Sequence, residues 1–194
     1  MASPKPSRTQ EWNESTRFSK LGTELAIDLL ESFRRPNNWF RTLVVRDTES
    51  DREIQRLGID LLWGVAAATC TVFIAVEVKA DRNHATGNFF FETTSDIERQ
   101  TPGTFLASSA ELYFYTFPDT KEIYCLPLCD TREWFKENIE SFHERIAHSS
   151  RDGRTWDTAG YLVPVRAVLS EVPGVRRYQL KDDKWTQTWN AVPA

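Results

Sequence analysis

The chain has 194 residues, the size of one ordinary domain, and its 40% hydrophobic and 12% aromatic residues are enough for a packed core. Eight Gly and nine Pro exclude a collagen-like fibre, and no apolar run approaches the roughly 18–20 residues of a membrane helix. The net charge of −4 argues against a passive nucleic-acid coat protein, which would be basic, but not against an enzyme whose acidic residues bind metal.

The first half of the chain predicts a helix followed by strands. A flexible polar leader over residues 1–14 has no hydrophobic stretch, so we expect a soluble, intracellular, cytoplasmic protein without membrane contact. Apolar residues at three- and four-residue steps predict a helix from about residue 16 to Arg35, which Pro36 ends. Residues 39–45 read as extended, and a short helix or turn over 50–57 ends at Gly58.

The rest of the chain alternates strands with two helical segments. A helix is predicted from Asp130, with its apolar stripe ending at Ile146, and a helical turn at 166–171. Residues 172–194 read as a C-terminal extension of a single domain over 15–194. The class is therefore α/β around a mixed central sheet flanked by helices. Strands are predicted at 59–64, 69–79, 88–94, 112–117, 122–127 and 160–165.

Two of these strands bring charged residues together. Glu77 and Lys79 are two apart on a strand and share one face. If residues 59–64 and 69–79 form an antiparallel hairpin turning near residue 68, Asp60 comes opposite Glu77 on that face. Two carboxylates and a lysine would then converge on one patch of the sheet.

Such a patch suits a hard divalent cation, since the ion removes the repulsion between the carboxylates. A bound Mg²⁺ polarises a phosphoryl oxygen and lowers the pKa of an attacking water, and a lysine beside it stabilises developing negative charge. The residue types therefore fit metal-dependent phosphodiester hydrolysis. The alternative is a surface sheet with solvated charges, in which Lys79 forms a salt bridge with Asp60.

With these residues the chain resembles the PD-(D/E)XK, or restriction endonuclease-like, nuclease superfamily. Its signature is an Asp near the start of one strand and Glu-x-Lys on the next, here Asp60 and Glu77-Val78-Lys79. Many members also carry a Glu on the first helix, and Gly22-Thr23-Glu24-Leu25-Ala26 looks like that segment. Ile59 stands where the short form of the signature has Pro, so the particular family stays open.

The resemblance implies a restriction endonuclease-like core and a nuclease that cuts DNA in restriction, recombination, repair or defence. Asp60, Glu77 and the carbonyl of Val78 would bind Mg²⁺, with Mn²⁺ as a possible substitute. Lys79 would orient or activate the attacking water, and Glu24 would assist through a water or a second metal.

Further residues are candidates for supporting roles. Glu92 and Asn88 share one face of a predicted strand. If that strand lies beside the strand with residues 77–79, the two side chains would support the metal ligands. The alternative is that Glu92 is an exposed charge at a strand end. Cations interleaved with aromatics around Trp39 suit a phosphate groove, although core packing of the aromatics is equally open. The candidate nucleic-acid-binding residues are Arg34, Arg35, Arg41 and Arg82.

Two other functions stay open. The chain could be a catalytically inactive subunit that uses the same fold for DNA binding or assembly, or a nuclease that acts on RNA. A homodimer or a larger protein complex is compatible with any of these readings.

Overall fold

The computed structural model describes residues 8–35, 40–67, 69–151 and 154–190. They form a mixed α/β protein with two β-sheets, which confirms the predicted class and the mixed main sheet. The helices are α1 (Arg8–Ser32), α2 (Arg52–Gln55), α3 (Thr104–Ala107), α4 (Leu128–Asn138) and α5 (Val165–Glu171). The strands are β1 (Phe40–Asp47), β2 (Leu61–Ala67), β3 (Thr71–Ala80), β4 (Asn88–Asp96), β5 (Thr101–Pro102), β6 (Leu112–Phe117), β7 (Glu122–Pro127), β8 (His143–Arg151), β9 (Arg154–Pro164), β10 (Arg176–Lys181) and β11 (Lys184–Asn190).

The main sheet has seven strands in the order β1-β2-β3-β6-β7-β10-β11. Its pairs are antiparallel except for β3 with β6, which run parallel. The second sheet has four antiparallel strands in the order β5-β4-β9-β8. The crossover from β3 to its parallel neighbour β6 therefore contains β4 and β5 of the second sheet, together with α3.

The predicted hairpin register is confirmed. Leu61 lies opposite Val76 and Leu62 opposite Ala75. The backbone N–H of Asp60 donates to the carbonyl of Val76 at 2.9 Å. Continuing this register by one residue sets Asp60 opposite Glu77, as the sequence predicted.

The two faces of the main sheet bury different cores because side chains alternate along each strand. We call the first the helix-side core, where α1 packs on the odd residues of β2 and the even residues of β3. The second, the inter-sheet core, lies between the two sheets and is mostly aromatic. Its fully buried aromatic residues are Phe89, Phe91, Phe105, Tyr113, Tyr115, Phe117 and Phe135.

The second sheet changes the predicted layering. The main sheet was expected to be flanked by helices; residues of α3, α4 and α5 do reach the core opposite α1, and β4 and β9 of a second sheet pack there with them. Phe89 and Phe91 explain this arrangement, because both are 0% exposed on β4 and their rings pack on aromatic residues of the main sheet and α3. Burying these large side chains is a strong drive for sheet-on-sheet packing.

The helix predicted from Asp130 to Ile146 is wrong in both position and length. Helix α4 begins at Leu128, so Asp130 lies in its first turn and does not cap it, and it ends at Asn138. Residues 143–151 instead form β8, and Ile146 is 54% exposed there. In this segment the hydrogen bonds of β8 to β9 outweigh the helical spacing of the apolar residues. Contacts with another strand, and not the local pattern, therefore decide its secondary structure.

The structure describes part of both predicted chain ends. Helix α1 begins at Arg8, so the second half of the proposed polar leader is helical, and residues 1–7 lie outside the described residues. Within residues 172–194, described to 190, strands β10 and β11 extend the main sheet beyond β7. None of the helices in the described ranges is long and apolar enough to cross a membrane.

Gly22 allows α1 to approach the main sheet closely. A Cβ added there would lie 2.7 Å from the Cβ of Ala80 and 2.7 Å from Oγ1 of Thr116. We predict that Gly22→Ala lowers the free energy of unfolding by about 1–2 kcal/mol, because overpacking outweighs the gain in helix propensity. Urea denaturation measures this, with Lys20→Ala on the exposed side of α1 as the control. Unchanged or increased stability of Gly22→Ala would contradict this close approach.

Candidate metal and catalytic site

The predicted carboxylates and lysine meet between the two sheets. Asp60 precedes β2, while Glu77 and Lys79 lie near the end of β3. All three are on the inter-sheet face, because their neighbours Leu62 and Ala75 pack in the inter-sheet core. Glu77 is only 7% exposed, so this patch is largely removed from solvent.

Asp60 is held by hydrogen bonds from two sides. Its Oδ2 accepts a bond from the backbone N–H of Val78 at 2.8 Å, and its Oδ1 accepts one from Nε2 of Gln55 at 3.4 Å. Its carboxyl group is also hydrogen-bonded to that of Glu77. The start of β2, helix α2 and β3 therefore fix the orientation of one side chain.

Burial determines which carboxyl group carries a proton. It raises the pKa of Glu77 to about 9; the charge of Asp60 adds to the rise, whereas Lys79 opposes it. Burial also raises the pKa of Asp60, against the hydrogen bonds from Val78 and Gln55 that favour its charged form. In the metal-free protein at neutral pH, Glu77 is protonated and donates to the Asp60 carboxylate.

Lys79 contacts a carboxylate from the second sheet. Its Nζ lies 3.5 Å from Oε2 of Glu92, and the two side chains are 29% and 13% exposed. Glu92 was predicted to support the site if its strand paired with β3. Instead β6 pairs with β3, and β4, which carries Glu92, lies across the inter-sheet core. Glu92 therefore reaches the site from the facing sheet. Asn88 shares its strand face and donates from Nδ2 to the carbonyl of Thr86 at 3.0 Å.

Sequence reasoning missed two residues of the site, Tyr113 and Gln55. Tyr113 pairs with Glu77 across the parallel β3–β6 ladder and is fully buried. Burial, then the charge of Glu77, raises its pKa well above the ordinary value, so its hydroxyl stays protonated. No local sequence pattern shows that Glu77 and Tyr113, 36 residues apart, are paired. Gln55 lies on the short helix that was predicted to end at Gly58, so its position was predicted although its role was not.

Glu24 does not join this site. It is exposed on α1, and α1 packs against the opposite face of the main sheet through Ala26, Leu29 and Leu30. The structure therefore does not bring Glu24 together with Asp60 and Glu77, and its role in catalysis stays a prediction.

The four predicted nucleic-acid-binding arginines do not form one surface. Arg82 lies over the ring of Phe18 at 4.6 Å, near the start of α1. Arg34 follows α1 and forms an ion pair with Glu31, which lies about 20 Å further along the helix than Phe18 at 1.5 Å per residue. Arg35 and Arg41 are exposed near that far end of α1.

The aromatic residues near these arginines support the packing alternative. Phe40 packs edge-on against Phe33 and Trp63 in the helix-side core, with ring centroids 5.5 and 5.8 Å apart. Trp39 lies outside the described residues.

The oxygen atoms of this patch are donors of the kind that Mg²⁺ takes. Across the described residues, no three His, Cys, Asp or Glu side chains converge on a common point. Mg²⁺ commonly takes one or two carboxylates and keeps several waters, which Asp60 and Glu77 can satisfy. The N–H of Val78 donates to Asp60, and the carbonyl of Val78 points to the same side of β3 as that N–H. The carbonyl can therefore add a third oxygen ligand to those of Asp60 and Glu77.

Comparisons of the chain with protein-family models, curated proteins and solved structures found no match. The function is therefore argued from the site itself.

Because Glu77 holds a proton in the folded protein, we predict that the free energy of unfolding falls as pH rises. The pKa of Glu77 is about 9 in the folded protein and ordinarily 4.5, so the folded state binds the extra proton between these values. Deprotonation then favours the unfolded chain, by up to about 1.4 kcal/mol per pH unit. We expect the wild type to lose about 2 kcal/mol between pH 6 and pH 8 in EDTA, and Glu77→Gln to lose much less.

Urea unfolding at both pH values measures this difference. Glu53→Gln, a change of an exposed glutamate on α2, should keep the pH dependence of the wild type. Equal pH dependence of Glu77→Gln and wild type would show that Glu77 does not hold the proton.

Proposed function

We propose that this protein is a Mg²⁺-dependent nuclease that hydrolyses DNA phosphodiester bonds. The observation that carries the proposal is the hydrogen-bonded pair of half-buried Asp60 and buried Glu77, with Lys79 two residues beyond Glu77 on the same face. Burying two adjacent carboxyl groups is costly unless they serve a bound cation or a reaction. A purely structural sheet gains nothing from this arrangement.

The topology around the pair supports the resemblance to PD-(D/E)XK nucleases. An Asp stands at the start of β2, Glu-x-Lys lies near the end of β3, and β1–β3 form an antiparallel meander preceded by a helix. The next strand of the main sheet, β6, runs parallel to β3. The exposed position of Glu24 and the added second sheet are departures, and they leave the assignment to a particular nuclease family open.

In the proposed site, Asp60 and Glu77 would hold Mg²⁺ together with the carbonyl of Val78. The bound ion would supply Lewis-acid polarisation of the phosphate and a more acidic attacking water. Asp60 is already oriented for this role by Val78 and Gln55, and Glu77 would release its proton when it becomes a ligand.

Lys79 would act on the water or on the developing phosphate charge. The Lys79 side chain forms the more open edge of the site, since it is 29% exposed, whereas Glu77 is nearly buried. Glu92 holds the ammonium group towards this edge through the 3.5 Å contact. The ammonium group is thus positioned before substrate arrives, which reduces the reorganisation that the reaction requires.

Cleavage of labelled DNA tests the proposal. We predict that wild type cuts DNA with Mg²⁺ or Mn²⁺ and not with EDTA, and that Asp60→Asn abolishes cutting. Lys79→Met should lower kcat about 10²–10³-fold, because one preorganised charge at the reacting phosphate is lost. Single-stranded, duplex and branched DNA are compared, and circular dichroism verifies folding.

The matched controls are Asp119→Asn and Lys136→Met, which change exposed residues away from the site. They should cut like wild type. If the folded wild type cuts no substrate with either metal, the nuclease proposal fails and a catalytically inactive DNA-binding or assembly subunit becomes the better account. Full activity of Asp60→Asn would also contradict the assignment of this site.

We predict that substitution of Glu92 lowers activity less than substitution of Lys79, because Glu92 acts through Lys79. Glu92→Gln removes the charge that holds the ammonium group and should lower kcat about 10-fold with little change in KM. The pH profile should move with it, which a merely structural role of Glu92 would not produce. Glu98→Gln, on the exposed turn after β4, is the control. A Glu92→Gln enzyme with wild-type kcat and pH profile would exclude this positioning role.

A further inference from the structure

A groove beside Lys79 has the chemistry of a binding site for one unpaired nucleotide. The cavity has a volume of about 370 Å³ and lies between the first half of α1, the end of β3 and the second sheet. That volume is near the lower end of the roughly 300–1,000 Å³ range of small-ligand pockets. Lys79 and Glu92 of the proposed catalytic site are among its lining residues.

The groove presents cations to a phosphate. Both of its acidic residues are already engaged: Glu92 contacts Lys79, and Asp81 accepts hydrogen bonds from Tyr115 and from the backbone N–H of Asn83. The arginines of the lining are Arg82, after β3, and Arg145, on β8, and both are exposed. With Lys79, the lining therefore carries three cations against two carboxylates, a net charge of +1.

Two aromatic rings line the same groove. Phe18 on α1 lies under the guanidinium group of Arg82, and Phe90 on β4 is half-buried in the opposite wall. Phe90 packs over Gly160, where an added Cβ would come within 2.6 Å of the ring. Aromatic rings next to cations are the common means of holding unpaired bases, because every base has a face that can stack.

The groove is formed before a ligand binds. The backbone N–H of Phe90 donates to the hydroxyl of Tyr115 at 2.9 Å, and that hydroxyl donates to Asp81. These bonds tie the second sheet to the main sheet and to the loop after β3. The walls are therefore fixed in relation to Lys79.

The depth of the site favours a single strand over a duplex. Glu77 is 7% exposed and the second sheet covers the face that carries it, so a phosphate must enter between walls to approach it. In a duplex, stacking and pairing hold each nucleotide, and enzymes with enclosed sites take the nucleotide out of the helix or act on single strands.

We infer that this groove binds one unpaired nucleotide of single-stranded DNA. The base of the nucleotide stacks on Phe18 or Phe90, and its phosphate lies near Arg82 and Arg145. This inference rests on the proposed nuclease function for its link to catalysis, but binding to the groove is measurable without cutting. It names single-stranded DNA as the substrate class of the same site.

Fluorescence anisotropy with labelled oligothymidylate, a duplex of equal length and oligouridylate tests the inference in EDTA, where metal-dependent cutting cannot occur. Wild type should bind oligothymidylate at least 10-fold more tightly than the duplex. Phe18→Ala and Arg145→Gln should each weaken this binding about 10-fold and leave duplex binding unchanged. The matched controls Phe73→Ala, on the exposed hairpin of β2 and β3, and Arg56→Gln, after α2, should bind like wild type.

Equal or tighter duplex binding, or wild-type affinity of both groove variants, would overturn the inference. Tighter binding of oligouridylate would overturn the choice of DNA. The same samples are then assayed for cutting with Mg²⁺. Selective single-strand binding without any cutting would support the groove and refute the nuclease, whereas cutting that the groove variants do not alter would refute the groove alone.

Discussion

The hydrogen bond between the carboxyl groups of Asp60 and Glu77 is the interaction on which the account of this protein depends. The β2–β3 register sets the two residues opposite each other, and Glu77 is buried while Asp60 is half-buried. Burial makes Glu77 hold a proton near neutral pH, and the proton replaces the cation that two ionised carboxylates would require. A divalent cation at this position would exchange with that proton, so metal affinity and pH are linked.

The second sheet gives the site its particular form. Strands β4 and β9 pack on the face of the main sheet that carries the carboxyl pair, and β4 brings Glu92 to Lys79. The same covering creates the groove in which Phe90 and Arg145 face α1. The aromatic residues of the inter-sheet core, which hold the two sheets together, therefore also shape the approach to the carboxyl pair.

Local patterns predicted most strands and the central pair of the site, because β-branched runs and a two-residue repeat are properties of the chain itself. The register that joins Asp60 to Glu77 followed from a short hairpin, which depends on few residues. The parallel pairing of Glu77 with Tyr113, the approach of Glu92 from another sheet and the strand that contains Ile146 depend on contacts between distant segments. Periodicity does not encode such contacts, so these features could not be predicted.

Anomalous diffraction from a crystal soaked in Mn²⁺ would test the central claim most directly, because it locates the ion without requiring a substrate. The account predicts a manganese peak between the carboxylate oxygens of Asp60 and Glu77, with the carbonyl of Val78 as a further ligand, and loss of that peak in Glu77→Gln. A manganese ion bound elsewhere, or a carboxyl pair that stays hydrogen-bonded and metal-free at millimolar Mn²⁺, would contradict the account.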